Sequence, residues 1–238
     1  MRHRVLGGAV LLGLMVSILV TGCGGSGPVR TESQQVALGT ADSARVELKM
    51  GAGVLVIDGG AEDLLEATFT YSQESWKPEV EYTVTGTEGL LVVKQPSDLG
   101  IISSPNVSYE WDLRFNSEVP MEMKITMGAG GGDLDLGDLN LGRLELKVGV
   151  GGTEIDLVGD WQRDLEATIE GGVGGIALTL PRNVGVRVEA ETGLGGVGAP
   201  GFQRQGDVFT NDAYGSTDVT LNIKLKVGVG GVELKLAD

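Results

Sequence analysis

Histidine and cysteine are almost missing from this 238-residue chain, which has one of each, His3 and Cys23. Aromatic residues are sparse, with 3 Trp, 4 Tyr and 4 Phe, and proline occurs only 7 times. Basic residues are outnumbered, 18 Lys and Arg against 33 Asp and Glu, for a formal net charge of −15. Each shortage excludes something. So acidic a chain has no surface that could neutralise a run of phosphates, so no nucleic-acid partner is expected. Low proline and the lack of a strict three-residue period exclude a collagen-like helix. What the chain has instead is glycine, 40 of 238 residues, and a hydrophobic fraction of 41%, too high for a disordered chain. The length suits one or two domains with a real core.

The first 22 residues read as an export signal. Arg2, His3 and Arg4 form a basic start, and Val5 to Val20 are apolar apart from glycines and Ser17. The following Leu19-Val20-Thr21-Gly22-Cys23 resembles a bacterial lipobox, which implies thioether acylation of Cys23 and cleavage just before it. A spanning helix needs about 20 apolar residues, and this run is shorter and ends in Gly-Cys-Gly-Gly. Two acyl chains suffice for stable anchoring. Cleavage would remove Arg2, Arg4 and His3, taking the net charge to −17. A mature chain without histidine or free thiol has no Ser-His or Cys-His nucleophile and no His- or Cys-based zinc site. Residues 23–40 are expected to be a flexible polar tether, 41–122 an N-terminal β unit and cap, and 123–238 a glycine-repeat region.

Six segments share a Gly-x-Gly core, beginning at Gly51, Gly128, Gly149, Gly172, Gly193 and Gly228. In the last five a third glycine follows directly, at Gly131, Gly152, Gly175, Gly196 and Gly231. The spacing of 21 to 23 residues across the central units is that of a repeat architecture. Counting the first glycine as zero, position −3 holds Leu48, Ile125, Leu146, Ile169, Ala190 and Leu225. Position +1 holds Ala52, Ala129, Val150, Val173, Leu194 and Val229, and +6 holds Ile57, Leu134, Ile155, Leu178, Ala199 and Leu234. All are apolar, while −4 and −2 are polar, so each unit predicts a half-buried strand. The inward parity changes across the glycines, which predicts a corner carrying one extra residue. Phosphate-cradling loops open a helix, whereas these glycines open another strand.

Equal spacing favours an all-β solenoid of stacked parallel coils, with an antiparallel sandwich as the alternative. Stacking would set Lys124 beside Glu145 and Lys147 beside Glu170, and would also juxtapose Asp133 with Glu154 and Asp135 with Asp156. Those four carboxylates are weak calcium candidates; the twelve-residue calcium-loop pattern fails at Leu144. With Asp138 they are also the only candidates for acid chemistry on a polysaccharide, and an outward solvated face is the favoured reading. Residues 60–122 hold most of the aromatics, including Phe69, Tyr71, Trp76, Tyr82, Tyr109, Trp111 and Phe115, and are expected to cap the first end of the stack. The 35-residue gap before the last unit contains Phe202, Arg204, Phe209 and Tyr214, a candidate partner loop.

With the lipobox, the run Val46-Glu47-Leu48-Lys49-Met50-Gly51-Ala52-Gly53, the strand Leu65-Glu66-Ala67-Thr68-Phe69-Thr70-Tyr71 and the glycine repeats, residues 36–238 resemble the bacterial toast-rack proteins. These are extracytoplasmic domains of unknown function, similar to adhesin-like domains. The resemblance implies a β-solenoid-like fold in the cell envelope and carries over no catalytic residue. The expectation is a non-enzymatic lipoprotein held to the extracytoplasmic face of a membrane through Cys23, acting as an adhesin-like or envelope-stress accessory module. Its partners would be the lipid bilayer and a cell-wall polymer or envelope protein, with no cofactor. A carbohydrate-active enzyme or a calcium-stabilised structural protein is the alternative.

Overall fold

The computed structural model describes residues 17–19, 29–96 and 108–237. Alternating apolar and polar residues make these segments strands throughout, apart from one 3-10 turn at Glu74–Trp76. In chain order they are β1 (Ser17–Leu19), β2 (Arg30–Val36), β3 (Ser43–Asp58), β4 (Leu65–Tyr71), β5 (Glu79–Thr85) and β6 (Glu88–Lys94). Then follow β7 (Tyr109–Phe115), β8 (Met121–Asp135), β9 (Leu141–Asp156), β10 (Leu165–Val173), β11 (Ile176–Leu180) and β12 (Gly185–Leu194). The last are β13 (Val197–Gly198), β14 (Gln203–Gln205), β15 (Val208–Thr210), β16 (Thr220–Val229) and β17 (Val232–Leu236).

The fold is all-β, and the glycine units pair in parallel. Each forms a rung of two limbs bent at its glycines, and the limbs of β3, β8 and β9 run unbroken through the bend. The next rung is β10 with β11, then β16 with β17, and last β12 with β13. The glycine clusters are therefore corners and not hairpin turns, unlike the sandwich alternative. Rung order departs from chain order at this end, because the final repeat inserts between its two predecessors.

The same departure occurs at the other end. Strand β6 pairs in parallel with the first limb of β3, and β7 with the second, so β6 and β7 make an outermost rung beyond β3. Antiparallel strands continue outward, β5 on β6, and β4 then β2 then β1 on β7. The polar stretch expected as tether thus contains β2. Within this cap Phe69 meets Trp111 edge-on at 5.8 Å, and both rings are buried with Tyr71, Trp76, Tyr109 and Phe115. Tyr82 is half-buried and donates to the Leu38 carbonyl at 2.7 Å. Buried Glu32 accepts from Lys77 at 2.7 Å and Tyr71 at 3.0 Å. Burial and that carboxylate push the Tyr71 phenol up to about 12.

The core runs as columns down the stack. Leu48, Ile125, Leu146, Ile169, Leu225 and Ala190 fill position −3, and Ile57, Leu134, Ile155, Leu178 and Leu234 fill +6, all buried. Ala199 is only half-buried, since it lies past the two-residue β13. On the outer face Lys124 pairs with Glu145 at 3.5 Å, Lys147 with Glu170 at 2.8 Å and Lys226 with Glu191 at 3.0 Å. Exposed pairs of this kind stabilise by well under 1 kcal/mol each; they favour the correct register more than the fold.

Two glycine columns are dictated by the bend. A Cβ at Gly149 would lie 2.3 Å from the Gly128 carbonyl oxygen, and one at Gly151 1.7 Å from that of Gly130. The second column also has positive φ, 144° at Gly151. The third column differs, because a Cβ at Gly152 meets nothing within 4 Å and its φ is ordinary. Gly151→Ala is therefore expected to destabilise by about 3 kcal/mol or more. Gly152→Ala should stay within about 1 kcal/mol of the parent, on the stabilising side. Denaturant melts of the two variants make the comparison, and equal losses would contradict it.

Candidate functional site

The bend that excludes side chains from two columns turns a third outward. Four positions rather than an odd number lie between the inward residues at −1 and +4, so inward parity changes within the glycines, and +1, odd like −3 and −1, falls after the change. Its side chains point to solvent, against the expectation that all three apolar columns are buried. In spatial order they are Ala52, Ala129, Val150, Val173, Val229 and Leu194, each registered on the next. Val150, Val173, Val229 and Leu194 are exposed. At about 4.8 Å per rung the six positions form a ridge about 24 Å long, of which the four large exposed residues occupy about 14 Å.

Beside the ridge runs a lane without side chains, Gly131, Gly152, Gly175, Gly231 and Gly196, closed at one end by exposed Val54. The lane floors a groove of about 660 Å³, and Asp133, Glu154 and Glu233 stand along its far wall with Ala177 between the last two. On the ridge's other flank the first charged residues are Lys49, Lys147, Glu170, Lys226 and Glu191, two positions before the corner. From 0 to +3 every unit carries only Gly, Ala, Val or Leu. The tip of the corner is apolar over its whole length.

The sequence-predicted residues fall in several places. Asp133 does register on Glu154, and Asp135 on Asp156, in neighbouring rungs. Asp135 accepts from the Gly137 amide at 3.4 Å and Asp156 from the Val158 amide at 2.7 Å, so both serve the turns that end the second limb. Among the described residues no group of three or more His, Cys, Asp or Glu is placed to hold a metal ion. Burial raises the Asp135 carboxyl above its ordinary range, opposed by the Gly137 amide and assisted by Asp156, Asp58 and Asp138. Cys23 lies outside the described residues. Among those residues no helix is long and apolar enough to cross a membrane.

The four residues of the candidate partner loop are divided between core and surface. Phe209 is buried on β15, which pairs antiparallel with the open edge of β12, and Phe202 packs partly against the core. Arg204, itself exposed, lies 5.2 Å over the Phe209 ring, and Tyr214 is the exposed ring of the three. Buried Asn211 secures the insertion, donating to the Pro181 and Val184 carbonyls and accepting from the Val186 amide. The loop closes an edge, a packing task that favours aromatic residues as much as recognition does. What sequence reasoning missed is the exposed ridge: by count +1 continues the inward series of −3 and −1, and the four positions between −1 and +4 signal that parity changes without saying where.

The N-terminal domain of toast_rack, DUF2154, matches residues 25–179. A candidate cell adhesion protein from Clostridium sporogenes is 34% identical with a TM-score of 0.85, over 88% of this chain and 100% of that one. Candidate adhesins from Bacteroides fragilis and Parabacteroides merdae are more distant. The first is 11% identical with a TM-score of 0.35 over 88% of this chain and 98% of that one. The second is 15% identical with a TM-score of 0.33 over 88% and 82%. No curated protein matches the sequence.

The raised Asp135 carboxyl has a testable consequence. A group whose folded pKa exceeds its unfolded value is stabilised as pH falls through the folded value, so its charge is a liability at neutral pH. Asp135→Asn, which keeps the acceptor for Gly137, should stabilise by about 0.5 kcal/mol at pH 7, with the gain fading at pH 3. Melts of the parent in calcium and in chelator should coincide, and a calcium-dependent rise would instead place an ion between the carboxylates. On the matched residues and the shared architecture, this chain belongs to the toast-rack family.

Proposed function

We propose that the protein is an exported, lipid-anchored, non-enzymatic module of the bacterial envelope that binds in the manner of an adhesin, with the glycine corner as its contact surface. The observation that carries this is the corner itself, a regular apolar strip with no titratable side chain from 0 to +3 in any unit. Such a strip offers contact and no acid, base or nucleophile. The likeness to a candidate cell adhesion protein supports the binding role. The basic start, apolar run and Cys23 support export and acylation.

On this reading cleavage removes β1 with the signal, and β2 becomes the sheet edge. That edge begins at Arg30, and a charge on an edge strand discourages pairing with other chains. The bilayer, reached through acylated Cys23, is the first partner, and a cell-wall polymer or another envelope protein is the class expected on the faces turned away from it. Mass spectrometry of the mature N-terminus, with membrane fractionation, tests the anchor. The expected product begins at diacylated Cys23 and sediments with membranes. A free thiol at Cys23, or a soluble chain retaining residues 1–22, would contradict it.

A further inference from the structure

We propose that the glycine corner rests on the lipid headgroup layer to which Cys23 tethers the chain, with the stack of rungs lying along the membrane. This rests on the anchored reading above and names the partner of the same surface. The five most exposed large hydrophobic residues among those described are Leu194 at 71%, Val150 at 54%, Val173 at 51%, Val229 at 45% and Val54 at 44%. All five stand on this corner. Exposed apolar residues scattered singly are ordinary, but a continuous row marks a contact surface.

The path of the chain says what covers it. Arg30 registers on Tyr71 and Tyr71 on Tyr109, and Tyr109 lies against Gly53, so β2 begins level with the corner. Val29, just before it, is also exposed and apolar. Three strand spacings separate β2 from β3, about 14 Å. Cys23 precedes Arg30 by seven residues, a reach of at most about 25 Å. The chain therefore leaves the fold beside one end of the ridge and on its side of the stack. A bilayer under the corner receives the acyl chains by the shortest route.

The charge pattern agrees with a lipid surface of low net charge. Lys49, Lys147 and Lys226 stand one step above the apolar tip, at the height where headgroup phosphates would lie, and Glu170 and Glu191 stand at the same height, paired with the last two, so this flank carries both signs. Asp133, Glu154 and Glu233 flank the other side, and a mature chain of −17 is repelled by anionic lipid. Zwitterionic phospholipid fits both flanks.

The full chain, processed and acylated by its own signal and reconstituted in phosphatidylcholine vesicles, provides the test. Because acylation consumes its only thiol, single cysteines can be labelled cleanly with a polarity-sensitive fluorophore. Val173→Cys and Leu194→Cys report on the ridge; Val84→Cys on β5 and Val158→Cys at the far turns serve as controls, all four at exposed positions. The ridge labels should shift to the blue and be quenched by nitroxide-bearing lipid while the controls stay in water, and anionic lipid should weaken the ridge signal. Ridge labels that match the controls on protein that still floats with the vesicles would overturn the proposal. So would shielding that needs no vesicles and grows with protein concentration, which assigns the ridge to a second copy of the chain. An unsubstituted chain that takes label at Cys23 and does not float would overturn the anchored reading and this one with it.

Discussion

At every corner from Gly130 onward the carbonyl of one glycine occupies the space in which the neighbouring rung's glycine would carry a Cβ, and the remaining regularity of the structure depends on that contact. A hydrogen-bonded ladder keeps neighbouring strands about 4.8 Å apart, so a bend sharp enough to turn two limbs leaves no room for side chains on its inner path. The distances would be 1.6 to 1.8 Å all along the second column from Gly130 to Gly230. Once the bend is fixed, rungs of equal perimeter stack in register, and the columns at −3 and +6 close into one core. The extra residue that the bend requires is also what turns the +1 column outward. Packing and exposure thus have one cause.

Both ends of the stack solve the edge problem in the same way. Near the N-terminus the chain lays β3, departs, and returns with β6 and β7 outside it. Near the C-terminus it lays β12 and β13 outermost and then fills the space behind them with β16 and β17. In each case antiparallel strands cover the outer rung, β4 and β5 at one end and β15 at the other. An inserted rung is held on both sides, which ties the outermost one to the body through more than a single connection. A stack that simply stopped would present two long parallel edges to other chains.

Much of this was legible in the residues. Leu146, Ile155 and their equivalents declare the core by period and chemistry, and Lys124 with Glu145 or Lys147 with Glu170 declare the register by charge. The rung order was not legible, because an equal period describes a coil without saying which neighbours it has. Nor was the fate of Val150 or Leu194, since by count +1 continues the inward series of −3 and −1 and nothing in the residues says where within the glycines the parity changes. Phe209 erred in the opposite direction: an aromatic in a long insertion suggested recognition, and its ring instead completes the core under β15. The carboxylates Asp135 and Asp156 looked like a pair, and the turns at Gly137 and Val158 use them separately.

On the proposed reading the apolar tip and the point at which the chain enters the fold make a module that sits against a surface, with the ion pairs Lys147–Glu170 and Lys226–Glu191 along its margin. All of that presupposes that the corner is as rigid as the core it borders. The Gly174 amide donates to Val229 and the Gly230 amide to Leu194, each at 2.8 Å, across the inserted rung. Native-state amide hydrogen exchange of these two glycines measures the rigidity directly. The account predicts that both exchange only with global unfolding, at the same free energy as the amide of Leu146 in the core. Exchange by local opening, well ahead of Leu146, would contradict it.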